Sequence, residues 1–193
     1  MKKKITLAVI CAVLSCVCLI GTTFAWLTDK TATVTNTFTV GNIKISLDET
    51  KGTEVVGGRQ FKMIPGATIA KDPKVTVVGG SEACWLFVKI EETSNTFTSG
   101  GATVKYVNYE IADGWTALDG FSGVYYRQVN ANSSTGTVDA VTYSVLANDQ
   151  IIINSAATAA DLAGATNTKL AFTAYAAQQA GLTVEQAWAL FTA

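Results

Sequence analysis

Two pairs of neighbouring carboxylates, Asp48-Glu49 and Glu91-Glu92, are the nearest this chain comes to a general acid/base constellation. Each pair ends an apolar run and leads into a polar loop. Neighbours on a strand point to opposite faces, so two adjacent acids do not converge on one substrate. The 193-residue chain contains no histidine. That removes Ser-His and Cys-His nucleophile pairs, HExxH zinc proteases and nearly every common catalytic zinc site. Cys84 lies in the run Ala83-Cys84-Trp85-Leu86-Phe87-Val88 and reads as a buried small hydrophobe rather than a reactive thiol. Gly57-Gly58 and Gly100-Gly101 lack the flanking residues of a phosphate cradle, and no D-x-D-x-D-G run supports a calcium loop. No catalytic, cofactor-binding or metal-binding residue is assigned, no cofactor is expected, and the chain does not read as an enzyme.

The elements that would carry these residues have a period of two. Ile43, Ile45 and Leu47 alternate with polar residues, and Phe61 and Met63 repeat the pattern before Pro65-Gly66. Val75 and Val77 follow Pro73. Cys84, Leu86, Val88 and Ile90 make one face of a strand whose other face carries Trp85 and Phe87. Apolar on both sides, it should be central and covered twice. Val107, Tyr109 and Ile111 run up to Asp113-Gly114, a hairpin-type signal. Val124-Tyr125-Tyr126, Val141/Tyr143/Val145, Ile151-Ile152-Ile153 and Leu170/Phe172/Ala174 complete about nine strands at the spacing of an antiparallel sandwich. Residues 156–165 read as a short helix or a loop. Near the end, Thr183 and Gln186 have capping-box spacing, and Val184, Ala187, Trp188 and Phe191 share a helical face.

The first residues concern destination. Lys2, Lys3 and Lys4 precede an apolar run over residues 5–20, and Gly21-Thr22-Thr23-Phe24-Ala25 closes it. Thr23 and Ala25 occupy the −3 and −1 places of a cleavage before Trp26, the order of a secretory signal peptide. An uncleaved membrane anchor is the other reading. Of 14 Lys+Arg and 15 Asp+Glu, removing three lysines leaves 11 against 15, so the remainder carries about −4. That charge gives no electrostatic reason to seek nucleic acid or anionic lipid. Three of the four cysteines, Cys11, Cys16 and Cys18, lie in the signal, which leaves no disulfide framework. Residues 26–193 fit a single β-sandwich domain. Its opening, residues 26–40, has no Pro or Gly and high β-propensity. It suits either the first strand of its own sandwich or addition to an existing sheet edge.

These residues resemble the TasA/camelysin family. Gly21-Thr22-Thr23-Phe24-Ala25-Trp26-Leu27-Thr28-Asp29 and Asn36-Thr37-Phe38-Thr39-Val40-Gly41-Asn42-Ile43 look like its opening, and Met63-Ile64-Pro65-Gly66 with Lys71-Asp72-Pro73-Lys74-Val75 matches its M-x-P-G and K-x-P-x-V stretches. The run from Lys169 to Gln178, with Ala187-Trp188, is similar to the closing strand and helix of its clostridial-type relatives. The resemblance implies export by a SipW-type signal peptidase, with membrane contact only as precursor, and a jelly-roll-like, all-β antiparallel sandwich with a short C-terminal helix. It also implies polymerisation with itself into biofilm-matrix fibres outside the cell. Residues 26–40 would then act as an exchangeable donor strand, with Leu27, Val34, Phe38 and Val40 as its apolar contacts. Some relatives carry a metalloprotease label, for which a chain without histidine offers no visible chemistry. The alternative is a monomeric cell-surface binding module sharing only the export route, with Trp115, Phe121, Tyr125 and Tyr126 around Asp113-Gly114 and Asp119-Gly120 as its aromatic face.

Overall fold

The computed structural model describes residues 41–192. The all-β, antiparallel expectation holds. Strands β1 (Ile45–Asp48), β5 (Lys74–Val77) and β12 (Val141–Ser144) form one sheet in the order β1-β5-β12. A second sheet runs β10 (Thr116–Ala117), β11 (Val124–Val129), β6 (Cys84–Thr93), β14 (Lys169–Gln178). A third joins β4 (Thr68–Ala70), β13 (Gln150–Ile153) and β9 (Val107–Asn108). Every ladder is antiparallel. Among the described residues no helix is long and apolar enough to cross a membrane.

The alternating residues behave as period two requires. Val75 and Val77 are fully buried while Lys74 and Thr76 lie on the other face of β5, where Thr76 meets Thr142 at 2.8 Å. Strand β6 is interior, between β11 and β14, and both of its faces are covered. Cys84, Leu86, Val88 and Ile90 enter the main core with residues of all three sheets, among them Val75, Ile151 and Ile153. Phe87 enters a separate cluster on the outer face with Leu118, Val124, Ala187 and Trp188. Two cores thus share one strand. Burial pushes the Cys84 thiol up to about 11, which keeps it protonated and inert.

The outer face is sealed by α2 (Val184–Ala189). Thr183 is its N-cap, and the reciprocal bonds with Gln186 form the expected capping box. Trp188 packs 5.3 Å from both Phe87 and Tyr175, centroid to centroid, and Phe191 lies 5.0 Å from Tyr175. The alanine-rich stretch contains α1 (Ala159–Gly164), capped in the same way by Thr158 and Asp161. Leu162 is its contact with the main core.

Two sequence expectations fail in detail. Phe61 and Met63 are not in a strand. Gly57, at a φ of 83°, turns the chain so that β2 (Thr53–Val55) pairs with β3 (Gly58–Gln60), with Val55 opposite Gly58. Residues 61–64 keep the alternation of burial without a neighbouring strand. Likewise the 107–111 run pairs only at Val107 and Asn108, and Ile111 makes a single bridge to Leu146. Asp113-Gly114 turns the chain, but β10 then pairs with β11 and not back onto β9. Trp115 causes the departure: it is buried, and its Nε1 donates to the Ser144 carbonyl at 2.8 Å, drawing the chain across the sandwich.

Candidate functional site

The two most buried charges of the described residues are consecutive. Lys71 is 5% exposed and Asp72 4%, between the ends of β4 and β5, and Pro73 beside them is fully buried. The backbone here is pinned: Lys71 N–H donates to the Asp149 carbonyl (2.8 Å), and the Pro73 carbonyl accepts from Val145 N–H (2.9 Å). Asp72 caps the turn that opens the β2–β3 hairpin. Its carboxylate accepts from the Thr50 N–H (2.9 Å), the Lys51 N–H (2.8 Å) and the Thr50 hydroxyl (2.6 Å). Burial alone would raise this carboxyl; the hydrogen bonds from Thr50 and Lys51, aided by the charge of Lys74, outweigh it and hold Asp72 at about 2.

Lys71 reaches both limbs of the same hairpin, Glu49 ahead of β2 and Phe61 after β3. Its Nζ donates to Glu49 Oε1 at 2.7 Å and lies 4.6 Å from the Phe61 ring centroid and 5.1 Å from that of Phe172. Ammonium, carboxylate and ring faces together make burial of the charge tolerable. Arg59 ties the stems from outside by donating to the carbonyls of Thr50 and Gly52, both at 3.2 Å.

This frame borders an open cleft of about 770 Å³. Its floor is apolar, made by Leu47, Met63, Ile69, Ile151, Leu170 and Phe172. One wall is the end of β1 and another the start of β14. Both are edge strands of their sheets and no ladder joins them. The hairpin overhangs the space, and its tip residues Val55 and Val56 line it while Val56 is fully exposed. An apolar floor beside a sheet edge that has no ladder partner can take an extended polypeptide, because edge N–H and C=O groups are met by another strand.

The residues assigned to signal cleavage, Thr23, Ala25 and Trp26, and to the assembly strand, Leu27, Val34, Phe38 and Val40, lie outside the described residues. The four aromatics of the alternative reading do not form one face. Trp115 is core, Tyr125 packs on the main core, and Tyr126 belongs to the outer cluster, 6.0 Å from Trp85. Phe121 is 41% exposed and lies 6.2 Å from Trp188. The acidic pairs are divided as expected. Asp48 accepts from the Ser46 hydroxyl while Glu49 pairs with Lys71. Glu91 pairs with Lys89, whereas Glu92 gathers Lys105 (2.6 Å), the Tyr109 hydroxyl (2.7 Å) and Asn95 (2.8 Å). Burial works against the Glu92 charge, but these donors prevail and lower its pKa. Burial, and then the hydrogen bond to Glu92, raise that of Tyr109.

Antiparallel sheets around two cores, with an open cleft and each acid of the two pairs held by its own partner, describe a protein of the all-β class. Residues 1–92 match the family model for camelysin metallo-endopeptidase, a span that holds both the opening motifs and the Lys71-Asp72-Pro73-Lys74-Val75 stretch. Over those residues the chain is similar to the TasA/camelysin family. No curated protein and no solved structure matches it. The metal in that family description finds no donor set here. Among the described residues no three His, Cys, Asp or Glu side chains converge, histidine is absent from the whole chain, and Cys84 is sealed in the core.

Sequence reasoning saw Lys71 and Asp72 only as part of a family motif and missed their role in fixing the hairpin. It also tested Gly57-Gly58 only as a phosphate cradle. Two glycines between short extended runs were themselves the hairpin signal.

Proposed function

We propose that this protein is an exported, non-catalytic structural subunit of extracellular fibres, in which residues 26–40 of one copy add as a strand to the sheet edges of another. The observation that carries the reading is the open cleft beside β1 and β14, which has an apolar floor and leaves one edge of each strand without a ladder partner. A strand laid in it would cover the apolar floor and meet the backbone groups of a free edge. The likeness of residues 1–92 to that family supports a secreted matrix protein. The wall-forming acids support a non-catalytic role, since Glu49 is held by a lysine and Asp48 by a hydroxyl.

The test is electron microscopy of purified protein beginning at Trp26, incubated for hours at raised concentration. Regular filaments are expected. A variant lacking residues 26–33 should stay folded and monomeric, and filaments formed by that variant would overturn strand addition through this segment. Mass spectrometry of the secreted protein should give Trp26 as its first residue.

A further inference from the structure

We propose that Arg127 is the anchor of a binding site for a carboxylate, placed where β11 faces β12 across the sandwich. The site shares no lining residue with the cleft described above and does not depend on strand addition.

The first ground is a missing acceptor. Five cations of the described residues are partly or fully withdrawn from solvent: Arg59, Lys71, Lys74, Lys89 and Arg127. Arg59 donates to two carbonyls, and the three lysines pair with Glu49, Asp149 and Glu91. Arg127 differs from all four. Among the described residues it forms no ion pair and no hydrogen bond, and its Nε is sealed from solvent without an acceptor. Leaving a guanidinium donor half-buried and unpaired is costly.

The second ground is that the group is held in place without its donors being used. The Arg127 Cζ lies 3.6 Å from the ring centroid of Tyr143, on β12, and 5.3 Å from that of Trp115. Trp115 is itself fixed by its bond to the Ser144 carbonyl. Rings meet the face of a guanidinium, whereas its N–H groups lie in its plane, so stacking orients the fork and leaves it free. Gly114 keeps the approach clear: it has a φ of 83°, and a Cβ there would stand 2.8 Å from Nη2. With Nε sealed, the open approach is end-on, through Nη1 and Nη2.

The third ground is the charge to be met. Burial works against the Arg127 charge, and Tyr143 is the titratable neighbour that offsets part of that. No second cation is paired with the site, so one negative charge balances it and a doubly charged phosphate or sulfate does not. A planar carboxylate matches the two Nη groups with parallel hydrogen bonds. Tyr143 is also a wall of an open hollow of about 420 Å³, bounded by Val129, Asn130, Asn132, Asp139 and Val141. The hollow gives the rest of the ligand room beside the ring, and the Asp139 carboxylate there is already held by Asn132 at 2.8 Å. The carboxylate comes either from a small organic acid or from an acidic side chain of a second copy.

The test uses dilute, freshly purified protein beginning at Trp26, followed by arginine side-chain NMR. Arg59 and Arg127 are the only arginines of the chain, so two Nε–H signals are expected, assigned with Arg59→Lys. Sodium acetate, set against sodium chloride of equal ionic strength, should shift the Arg127 signal saturably and leave that of Arg59 in place. Raising the protein concentration without acetate identifies the source. A shift of the Arg127 signal that acetate reverses assigns the carboxylate to a second copy, and a constant signal assigns it to a small acid. Acetate should also raise the melting temperature of the parent over the chloride control, and this gain should be lost in Arg127→Met, which keeps the apolar stem without the fork. An Arg127 signal that responds neither to acetate nor to protein concentration would overturn the site and leave a stacked arginine that only covers the core. A larger shift with sodium sulfate than with acetate would overturn the carboxylate as its ligand.

Discussion

The molecule has two apolar surfaces, the outer face of β6 and the edge of its main core at the cleft, and treats them differently. The outer face of β6 is closed by a segment of its own chain, where α2 lays Trp188 on Phe87 and Tyr175 and leaves that tryptophan 2% exposed. The cleft beside β14 has a mainly aliphatic floor, and its frame is polar: Lys71 with Glu49, and Asp72 with Thr50 and Lys51. A wall of aliphatic side chains can slide inward to fill a gap. A buried carboxylate holding two N–H groups and a hydroxyl cannot move without losing them. Charges at this site keep the walls apart, whereas at the other face aromatic rings draw them together.

Large-to-small substitutions test that contrast most strongly. Trp188→Ala should cost about 3–5 kcal/mol in urea unfolding, because it leaves a void among Phe87, Tyr175 and Phe191. Phe172→Ala, at the half-buried cleft floor, should cost well under half of that. Equal losses would mean the cleft is packed as tightly as the sealed face. Next in size, Lys71→Ala should cost about 2–4 kcal/mol, since it strands Glu49 and releases Phe61 and Phe172. Lys71→Met, which restores the apolar stem, should recover part of it.

Acid titration addresses the second buried charge of the frame. Asp72 falls from its ordinary value of 3.8 to about 2 on folding, so its contribution is fully present above 3.8 and is lost as pH drops through about 2. The loss amounts to about 2 kcal/mol. Denaturant midpoints between pH 5 and pH 2 should therefore fall more steeply for the parent than for Asp72→Asn. Parallel slopes would remove Asp72 from the frame. The smallest effect belongs to the sealed face. Thr183→Ala deletes one capping bond and should cost about 1 kcal/mol, visible as a small drop in melting temperature.

The strands with clean alternation were legible because one set of side chains faces a core. β5, β6, β11 and β14 fall where Val75/Val77, Leu86/Val88, Val124 and Leu170/Phe172 placed them. Both helix caps follow from local spacing, and Thr183 with Gln186 was readable directly. The short hairpins were not seen. β7 (Thr96–Ser99) and β8 (Ala102–Lys105) meet through Gly100-Gly101, both at positive φ, but Phe97 is the only strongly apolar residue of β7. With one inward side chain, period two has nothing to repeat. The 61–64 segment misled for the opposite reason, because it alternates in burial without a partner strand. As for the cleft, neither Lys71 nor Asp72 announces its partners in sequence. Glu49 and Thr50 lie about twenty residues away, and only the hairpin's return brings them together.

The ladder between β6 and β14 sets a different kind of limit. It pairs Thr93 with Lys169 at one end and Cys84 with Gln178 at the other, so the central strand waits for a partner made far later in the chain. Closing loops of that length is slow relative to local hairpins, and topologies dominated by such pairings reach the native state in milliseconds to seconds rather than microseconds. Until the last strand arrives, Leu86, Val88 and Phe87 have only β11 beside them. The order of synthesis thus gives this protein a long interval in which it is complete in most of its parts and still unfolded.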